Sequence, residues 1–471
     1  MERWSSHIGF VLAAIGAAVG LGNIWRFSAV LGQNGGGAYL IPYFIAVFIF
    51  ALPLMVLEIA AGRRSRGTVV SAFAAVRPLF AIGGWIVCIV SFLITSYYLV
   101  ITGWTLAYLT FTVTGTETSF SAFTGSYEPI LFALSCAIIT GIVVSAGVRK
   151  GIERLVVMLI PFCIGILIIM ALYSTTLPGF FAGFTFLFSP DFSILADPGI
   201  WLAAFGQALF SLSVGEGIML TYGAYMAQEQ DIRLSALVIT VTDTSVALLA
   251  GLVIFPVVFS YGLSPSSGAE LAFTTLPMAF AAIPSGHLLA IAFYAVLFSA
   301  AITTTVGCLE VCVAAVRKTT QWSRRKSSVI LTLLLLALTL LPALSYSALH
   351  LTISGVPVLD FMDETAGTLG LHLTAILLAV AFTWFTPIEA FYEGVGGATR
   401  VNHAIFLLCR YLIPAVLIVT VAIEIVSSLH LNVAQYLPGT LFPGRIPLAE
   451  GIIFIAIIAI LAIIIAIRLR R

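Results

Sequence analysis

This 471-residue chain has very little charge: Asp, Glu, Lys and Arg make up only 9% of it, and the formal net charge is +1. A soluble protein carries about a quarter charged residues, whereas this chain is 61% hydrophobic. The low charge and high hydrophobic content exclude a soluble globular fold. The net charge near zero indicates no nucleic-acid or acidic partner. The natural solvent is therefore a lipid bilayer, which only helices or a closed barrel can span.

Other absences narrow the choice. The apolar runs, such as 453–467, do not alternate with polar residues, which excludes a barrel and predicts helices. The six cysteines have neither a disulfide pattern nor metal-ligand spacing, and we interpret Cys308 and Cys312 as core residues. The first apolar run has no cleavage-like end, so we expect no signal peptide. No metalloprotease, serine-hydrolase or nucleotide motif is present, so we predict that the protein is not an enzyme.

Twelve stretches are long and apolar enough to cross a bilayer, which takes about 20 residues each. Numbered as spans 1 to 12, they cover roughly 9–31, 38–61, 82–112, 130–146, 153–173, 200–225, 234–262, 286–316, 328–344, 366–387, 403–424 and 447–467. Eighteen of the 21 Lys and Arg residues fall in alternate connections, including both chain ends. The positive-inside rule then predicts a multi-pass protein of the plasma (inner) membrane with both termini cytoplasmic.

Two spans are interrupted near their centres by glycines. Span 1 has Gly20 and Gly22 just before Asn23, and span 6 has Gly215 and Gly217 just after a pair of serines. Such glycines also serve close helix packing. However, a pair of Gly-interrupted helices in corresponding halves is the best pointer to a transporter site at the bilayer midplane. Freed carbonyl groups there can bind cations, and half-helix N-termini can face an anion.

Polar groups inside the spans are costly and are candidates for function. The ionisable ones are Arg26, Glu58, Glu216, Asp243, Glu310, Arg410 and Glu424. For Glu58 we favour a structural role, holding the backbone of broken span 1, and for Glu310 a bond to a neighbouring helix. Span 8 carries three consecutive threonines, 303–305, whose hydroxyls suit Na⁺. The alternative for them is a hydrogen bond to the preceding helical turn.

At these residues the chain resembles the neurotransmitter:sodium symporter family, in its prokaryotic amino-acid branch, over nearly its whole length. The motifs that carry the resemblance are Trp4, Gly16–Phe27, Asn34–Ala38, Gly62–Arg63, Tyr97–Tyr98, Gly151–Arg154, Gln207, Ser211–Ser213, Thr221–Tyr222 and Ala366–Thr368. The resemblance implies an all-α fold of twelve transmembrane helices in one domain, 1–471, with spans 1 and 6 broken at mid-membrane. Two inverted five-helix repeats, about 9–173 and about 200–387, would be followed by two extra helices at about 403–467.

The resemblance also implies a site. One sodium ion would be bound by the Ala18 carbonyl, Asn23, Ser211, Asp243 and the substrate carboxylate. A second would be bound by carbonyls of Gly16, Val19 and Ala300 and by the hydroxyls of Thr303 and Thr304. The substrate would contact Ala18, Gly20, Leu21, Gly22, Ile94, Tyr98, Phe210, Ser211, Ser213, Glu216, Thr304 and Cys308. The gates would use Arg26 and Asp363 outside, and Trp4 and Tyr225 inside.

The function implied is sodium-coupled symport of an amino acid by alternating access. Monoamine carriers of the family have Asp where Gly20 stands, so a substrate with its own carboxylate fits better here. Asp243 would supply the charge that chloride supplies elsewhere, so two Na⁺ and no chloride are expected. The family's inner-gate ion pair is absent, because its positions read Met1 and Lys318, with Arg3 a possible substitute.

Several alternatives stay open at this stage. They are a carrier of another small carboxylate or osmolyte, coupling to protons, and a transporter-like receptor that binds without transport. Glu216 stands where the family pocket is usually apolar, so it either faces a cationic or polar substrate or lines a pocket for a neutral one. The partners expected are the amino acid and the lipid bilayer, and the oligomeric state is left open.

Overall fold

A computed structural model describes residues 2–189, 192–265, 271–283 and 286–428. Nearly all of this is helical. The strands in the described part, Thr352–Ile353 and Val356–Pro357, form one short antiparallel hairpin in which Ile353 lies opposite Val356. The predicted all-α membrane fold is confirmed.

Among the described residues, nine helices are long and apolar enough to cross a membrane. They are Gly36–Ser65, Pro78–Thr114, Glu128–Ser145, Val148–Ser174, Ile232–Ser260, Gly286–Thr320, Arg324–Ala343, Val358–Trp384 and Arg400–Ile423. They correspond in order to predicted spans 2 to 5 and 7 to 11. Most extend the predicted ranges by a few residues, because helices continue past the apolar run into the polar connections. The predicted span 12, at 447–467, lies outside the described residues.

The two interrupted spans are visible as broken helices. Span 1 consists of His7–Ala18 and Gly22–Gln33, which meet at an angle of 53°. Span 6 consists of Pro198–Ser211 and Ile218–Ala224. Neither half of span 6 is long enough to cross a membrane by itself, since a span needs about 20 residues.

Shorter elements connect the spans and modify them. The connecting helices are Val69–Val76, Phe120–Thr124, Phe180–Phe188, Phe192–Ala196, Leu276–Ala282 and Ile388–Val395. Two spans begin with a short 3₁₀ helix, at Gly36–Tyr39 and Pro78–Phe80. Wider π-helical turns occur at Gly22–Arg26, Ala46–Ala51, Val148–Glu153, Leu271–Thr275, Asp363–Gly370 and Leu408–Leu412. Single π turns of this kind often mark functional positions.

Burial separates the inner helices from those at the surface. Span 8 is the most enclosed of the nine long helices and packs along span 3, whereas span 5 exposes most of its surface. Between 157 and 172 the exposed side chains of span 5 are apolar, including Met158, Ile169 and Leu172. Exposed apolar surface on a long helix suits contact with lipid. The polar breaks of spans 1 and 6 are therefore surrounded by other helices.

Candidate functional site

The break in span 1 begins where two backbone amides leave the helical pattern. The amide of Gly20 donates to Oδ1 of Asn23 at 3.0 Å, and the amide of Leu21 donates to the Tyr98 hydroxyl at 2.9 Å. In a continuous helix these amides would bond the carbonyls four residues earlier, at Gly16 and Ala17. Those carbonyls are therefore free to bind other groups, and the family resemblance implies a sodium ion as the partner of Gly16.

The break in span 6 is held by unusual backbone conformations. Ser213, Gly215 and Gly217 have φ angles of +48°, +96° and +77°. This left-handed region is costly for a residue with a side chain, such as Ser213. Glu58 supports the break by accepting from the amide of Gly215 at 2.7 Å. Our expectation that Glu58 holds span 1 is therefore wrong: it holds span 6, because span 2 packs along the second half of span 6.

The two breaks meet at one carbonyl oxygen. The backbone oxygen of Ala17 accepts from the Ser213 hydroxyl at 3.0 Å and from the Thr304 hydroxyl at 3.1 Å. These two bonds join spans 1, 6 and 8. The oxygen comes from the last turn of the first half of span 1, where helical carbonyls lack partners. Sequence reasoning named Ala18 and missed Ala17, since only the direction of the broken backbone decides which carbonyl faces inward.

A cluster of oxygen-bearing side chains lies beside the breaks. The Asn23 amide nitrogen donates to Ser211 Oγ at 2.8 Å and to Asp243 Oδ1 at 2.7 Å, and Ser211 donates to Asp243 Oδ2 at 2.8 Å. All three side chains are fully buried. Carboxylate, hydroxyl and amide oxygens are hard ligands. The structure therefore brings together the three side chains predicted for the first sodium ion.

The second predicted sodium site is built on span 8. The hydroxyls of Thr303 and Thr304 both bond back to the Ala300 carbonyl, at 2.9 and 3.3 Å. Thr305 contacts the Thr140 hydroxyl instead, at 2.9 Å, and so faces span 4. Val19, which follows the first half of span 1, has an extended backbone. The contact of Thr304 with Ala17 brings one of the three hydroxyls to the broken backbone of span 1. Thr303 and Thr304 both follow the alternative of a hydrogen bond to the preceding helical turn.

One small cavity opens between the two breaks. Nine of the twelve predicted substrate contacts line it: Ala18, Gly20, Gly22, Ile94, Tyr98, Phe210, Ser213, Glu216 and Thr304. The other three lie behind this lining. Leu21 bonds the Tyr98 hydroxyl through its amide, Ser211 belongs to the cluster with Asp243, and the Cys308 thiol lies 3.3 Å from Glu216 Oε2. Their roles stay predictions.

Gly20 lines the cavity and is packed tightly against its neighbours. A Cβ atom at this position would lie 2.7 Å from both the Tyr98 hydroxyl oxygen and Thr304 Oγ1. Contacts that short force neighbouring atoms to move. An aspartate of the monoamine type would therefore need a rearranged site, and the carboxylate of the substrate stays a prediction.

The arginine of the predicted outer gate is held by two side chains of span 6. No ion pair joins Arg26 to Asp363 in the described part of the chain. Arg26 instead donates to Gln207 Oε1 at 3.1 Å, and its guanidinium lies 4.6 Å above the Phe210 ring. Gln207 also donates to the Gly22 carbonyl at 2.7 Å, so it connects the gate to the break in span 1. Gln207, one turn before Ser211, lies close enough to bind the guanidinium, and the role of Arg26 and Asp363 as the outer gate stays a prediction.

A second polar network lies at the other end of span 6, around the predicted inner-gate residues. The Trp4 indole donates to the Tyr222 carbonyl at 3.0 Å, and the Tyr225 hydroxyl donates to Glu310 Oε1 at 2.8 Å. Glu310 is fully buried and forms a two-pronged pair with Arg324, at 3.1 and 2.5 Å. This confirms that Glu310 bonds a neighbouring helix.

Ion pairs extend this network to the chain's start. Glu2 lies 3.1 Å from Arg317 and 3.5 Å from Arg324. The sequence expectation was that the gate lacks its pair, with Arg3 as a substitute. The structure shows an ion pair between the acid Glu2 and the base Arg317. These residues are the neighbours of Met1 and Lys318, the positions of the family's pair. Their charges are exchanged relative to that pair. We call Glu2, Trp4, Tyr225, Glu310, Arg317 and Arg324 the N-terminal network.

Comparison with known proteins agrees with this geometry. The model of the Sodium:neurotransmitter symporter family matches residues 1–128 and 123–471. The uncharacterized sodium-dependent transporter YhdH of Bacillus subtilis is 34% identical over 441 residues, covering 88% of this chain and 96% of that protein. The uncharacterized sodium-dependent transporter MJ1319 of Methanocaldococcus jannaschii is 32% identical over 431 residues, covering 86% of each.

A solved structure resembles the fold closely. The crystal structure of MhsT in complex with L-phenylalanine aligns with a TM-score of 0.83 and 36% identity, covering 89% of this chain and 99% of that one. This agreement confirms the predicted fold class with its inverted repeats and broken helices. Together with the broken spans and the cluster around Asp243, these matches establish that the chain belongs to the sodium:neurotransmitter symporter family and is a sodium-dependent membrane transporter.

Proposed function

We propose that this protein carries amino acids across the membrane together with Na⁺, by alternating access. The observation that carries the proposal is the convergence of Asn23, Ser211 and Asp243 beside a cavity that opens at two broken helices. A buried cation is costly unless charged or polar ligands surround it. The cluster supplies such ligands beside the cavity, and Gly20 puts no acidic side chain there, so a substrate would have to bring its own carboxylate.

The charges of the site support chloride-independent coupling to two sodium ions. Asp243 is a fixed carboxylate within the oxygen cluster, so one sodium ion there would be balanced without chloride. The second ion would use Thr303 and Thr304 with the carbonyls of Gly16, Val19 and Ala300. MhsT, which binds L-phenylalanine in its crystal structure, supports an amino acid as the substrate.

The two gates would lie on opposite sides of the cavity. Arg26 and Asp363 belong to the outer side, where Phe210 covers the cavity and Gln207 holds Arg26. The N-terminal network would close the cytoplasmic path, with Trp4 and Tyr225 at its centre. The whole chain, 1–471, would act as one transporter domain in the plasma membrane, with both termini cytoplasmic.

The decisive experiment is thermal stabilisation of the purified protein by a panel of amino acids, in Na⁺ and in choline. Stabilisation that needs both Na⁺ and an amino acid is expected, and K⁺ should not replace Na⁺. Uptake into proteoliposomes then separates a carrier from a receptor that binds without transport. If an osmolyte or another carboxylate stabilises the protein and no amino acid does, the amino-acid assignment is wrong.

A further inference from the structure

Glu216 is the only acidic side chain among the residues that line the cavity. It is 3% exposed. The partner it has in the described structure is the Cys308 thiol, 3.3 Å from Oε2. A thiol is a weak hydrogen-bond donor. The carboxylate therefore reaches the cavity with most of its hydrogen-bonding capacity unused.

Other buried carboxylates of the protein have stronger donors. Asp243 accepts from an amide and a hydroxyl, both within 2.8 Å. Glu58 accepts from a backbone amide at 2.7 Å. Glu310 is paired with an arginine and a tyrosine hydroxyl. Glu216 stands apart from these, and it alone faces the cavity.

The backbone that carries Glu216 is held on both sides. A Cβ atom at Gly215 would lie 2.9 Å from Leu371 Cδ1, and one at Gly217 would lie 2.9 Å from side chains of Val69 and Val87. The amide of Gly215 is also bonded to Glu58. This packing fixes the segment, so the carboxylate is presented to the cavity by the fold.

The position of the carboxylate suits the side chain of a bound amino acid. Thr304 and Cys308 are four residues apart on span 8, so they share one face and lie about 5–6 Å apart. Thr304 lies beside Gly20 and the Tyr98 hydroxyl, where the substrate carboxylate is proposed to bind. Cys308 marks the position of Glu216, one helical turn away. A long side chain would cover that distance.

We propose that Glu216 determines specificity by accepting hydrogen bonds from N–H groups at the end of the substrate's side chain. The substrate class is then an amino acid with a nitrogen-terminated side chain, such as an ammonium, guanidinium, amide or indole. The inference rests on the proposed amino-acid function. Hydrogen bonds to a charged group are about twice as strong as neutral ones. A buried polar group built to bond a ligand rejects analogues that lack the donor far better than an apolar pocket does.

Matched pairs of ligands test this on the wild-type, full-length protein. The pairs are lysine with norleucine, tryptophan with 1-methyltryptophan, and glutamine with methionine, each measured by competition binding in Na⁺. In at least one pair the N–H-bearing member should bind about 100-fold or more tightly than its partner. Arginine against citrulline then separates a charged donor from a neutral one. Equal or tighter binding by the member without the donor, in every pair, overturns the inference.

Two variants assign the effect to the carboxylate. Glu216→Met replaces it with an apolar chain of similar length and should abolish the preference. Cys312→Ala, at a buried thiol of span 8 that bonds the Cys88 carbonyl and does not line the cavity, should retain it. Sodium-dependent thermal stabilisation of each variant shows that it is folded. A Glu216→Met protein that keeps the wild-type preference contradicts the inference, and if this variant does not fold, the wild-type pairs decide. The proposed function fails separately, if no amino acid of either kind stabilises the protein in Na⁺.

Discussion

Removing Arg324 should loosen the N-terminal network more than any other single change in it. Arg324 pairs with Glu310 and also donates from Nε to the Val144 carbonyl at 2.8 Å. Its side chain is 12% exposed, and that of Glu310 is 0% exposed. Arg324→Met would leave the Glu310 charge buried with the Tyr225 hydroxyl as its remaining donor.

The magnitude follows from burial. Breaking a buried ion pair by removing one partner costs about 3–5 kcal/mol. If that cost falls on the closed state, the opening equilibrium shifts by roughly 10²- to 5 × 10³-fold. Glu2 is 27% exposed and its partner Arg317 is 41% exposed. Such a pair contributes about 0.2–1 kcal/mol, so Glu2→Gln should shift opening by about fivefold or less.

Hydrogen–deuterium exchange of residues near the chain's start measures this opening. The amide of Trp4 bonds the Tyr225 carbonyl, and the amide of Ser5 bonds Glu153 at 3.0 Å, so both are protected only while the network is closed. Arg324→Met with Glu310→Leu is the matched control, because replacing a whole buried pair with apolar residues is often neutral. Exchange in Arg324→Met no faster than in Glu2→Gln would refute the reasoning.

Three further changes test the site itself. Wild-type uptake should be equal in chloride and in gluconate, whereas uptake by Asp243→Asn, which lacks the fixed charge, should depend on chloride. Wild-type uptake that collapses in gluconate contradicts this prediction. Ser211→Ala removes an oxygen from the cluster and should raise the half-saturating Na⁺ concentration about tenfold in binding assays, because a lost buried partner costs about 1–3 kcal/mol. Gly20→Ala should lower substrate affinity about tenfold or more, because overpacking costs about 1–3 kcal/mol. Unchanged affinity in a competition assay would show that Tyr98 and Thr304 can move aside without cost, and would contradict this prediction.

Much of the architecture could be predicted because its signals are local. A span is a continuous apolar run, and a break is a pair of glycines within it, so both are readable along the chain. Spans 2 to 5 and 7 to 11 appear as predicted, and the breaks appear at Gly20 and around Gly215. The site residues came instead from the family resemblance, and nine of the twelve substrate contacts surround one cavity.

Partners between distant segments were less predictable. Glu58 and Gly215 are 157 positions apart, and no local pattern says whether the carboxylate reaches span 1 or span 6. Glu2 and Arg317 are 315 positions apart, and each stands one position away from the family's gate residues, so alignment with the family does not reveal their pairing. A buried acid on span 8 and an arginine at the start of span 9 were the signals available for Glu310 and Arg324.

The sequence by itself determined the lipid environment of this protein, its helical class, spans 2 to 5 and 7 to 11 and the position of the two breaks. Each of these depends on composition or on short stretches of chain. Tertiary structure alone decided which groups face each other. Successive residues of a helix point about 100° apart, so Thr304 reaches the Ala17 carbonyl while Thr305 turns to span 4. Rotation and packing of the spans likewise placed Glu216 at the cavity with the Cys308 thiol as its hydrogen-bond partner in the described structure. They also brought Arg26 into hydrogen-bond contact with Gln207 instead of Asp363.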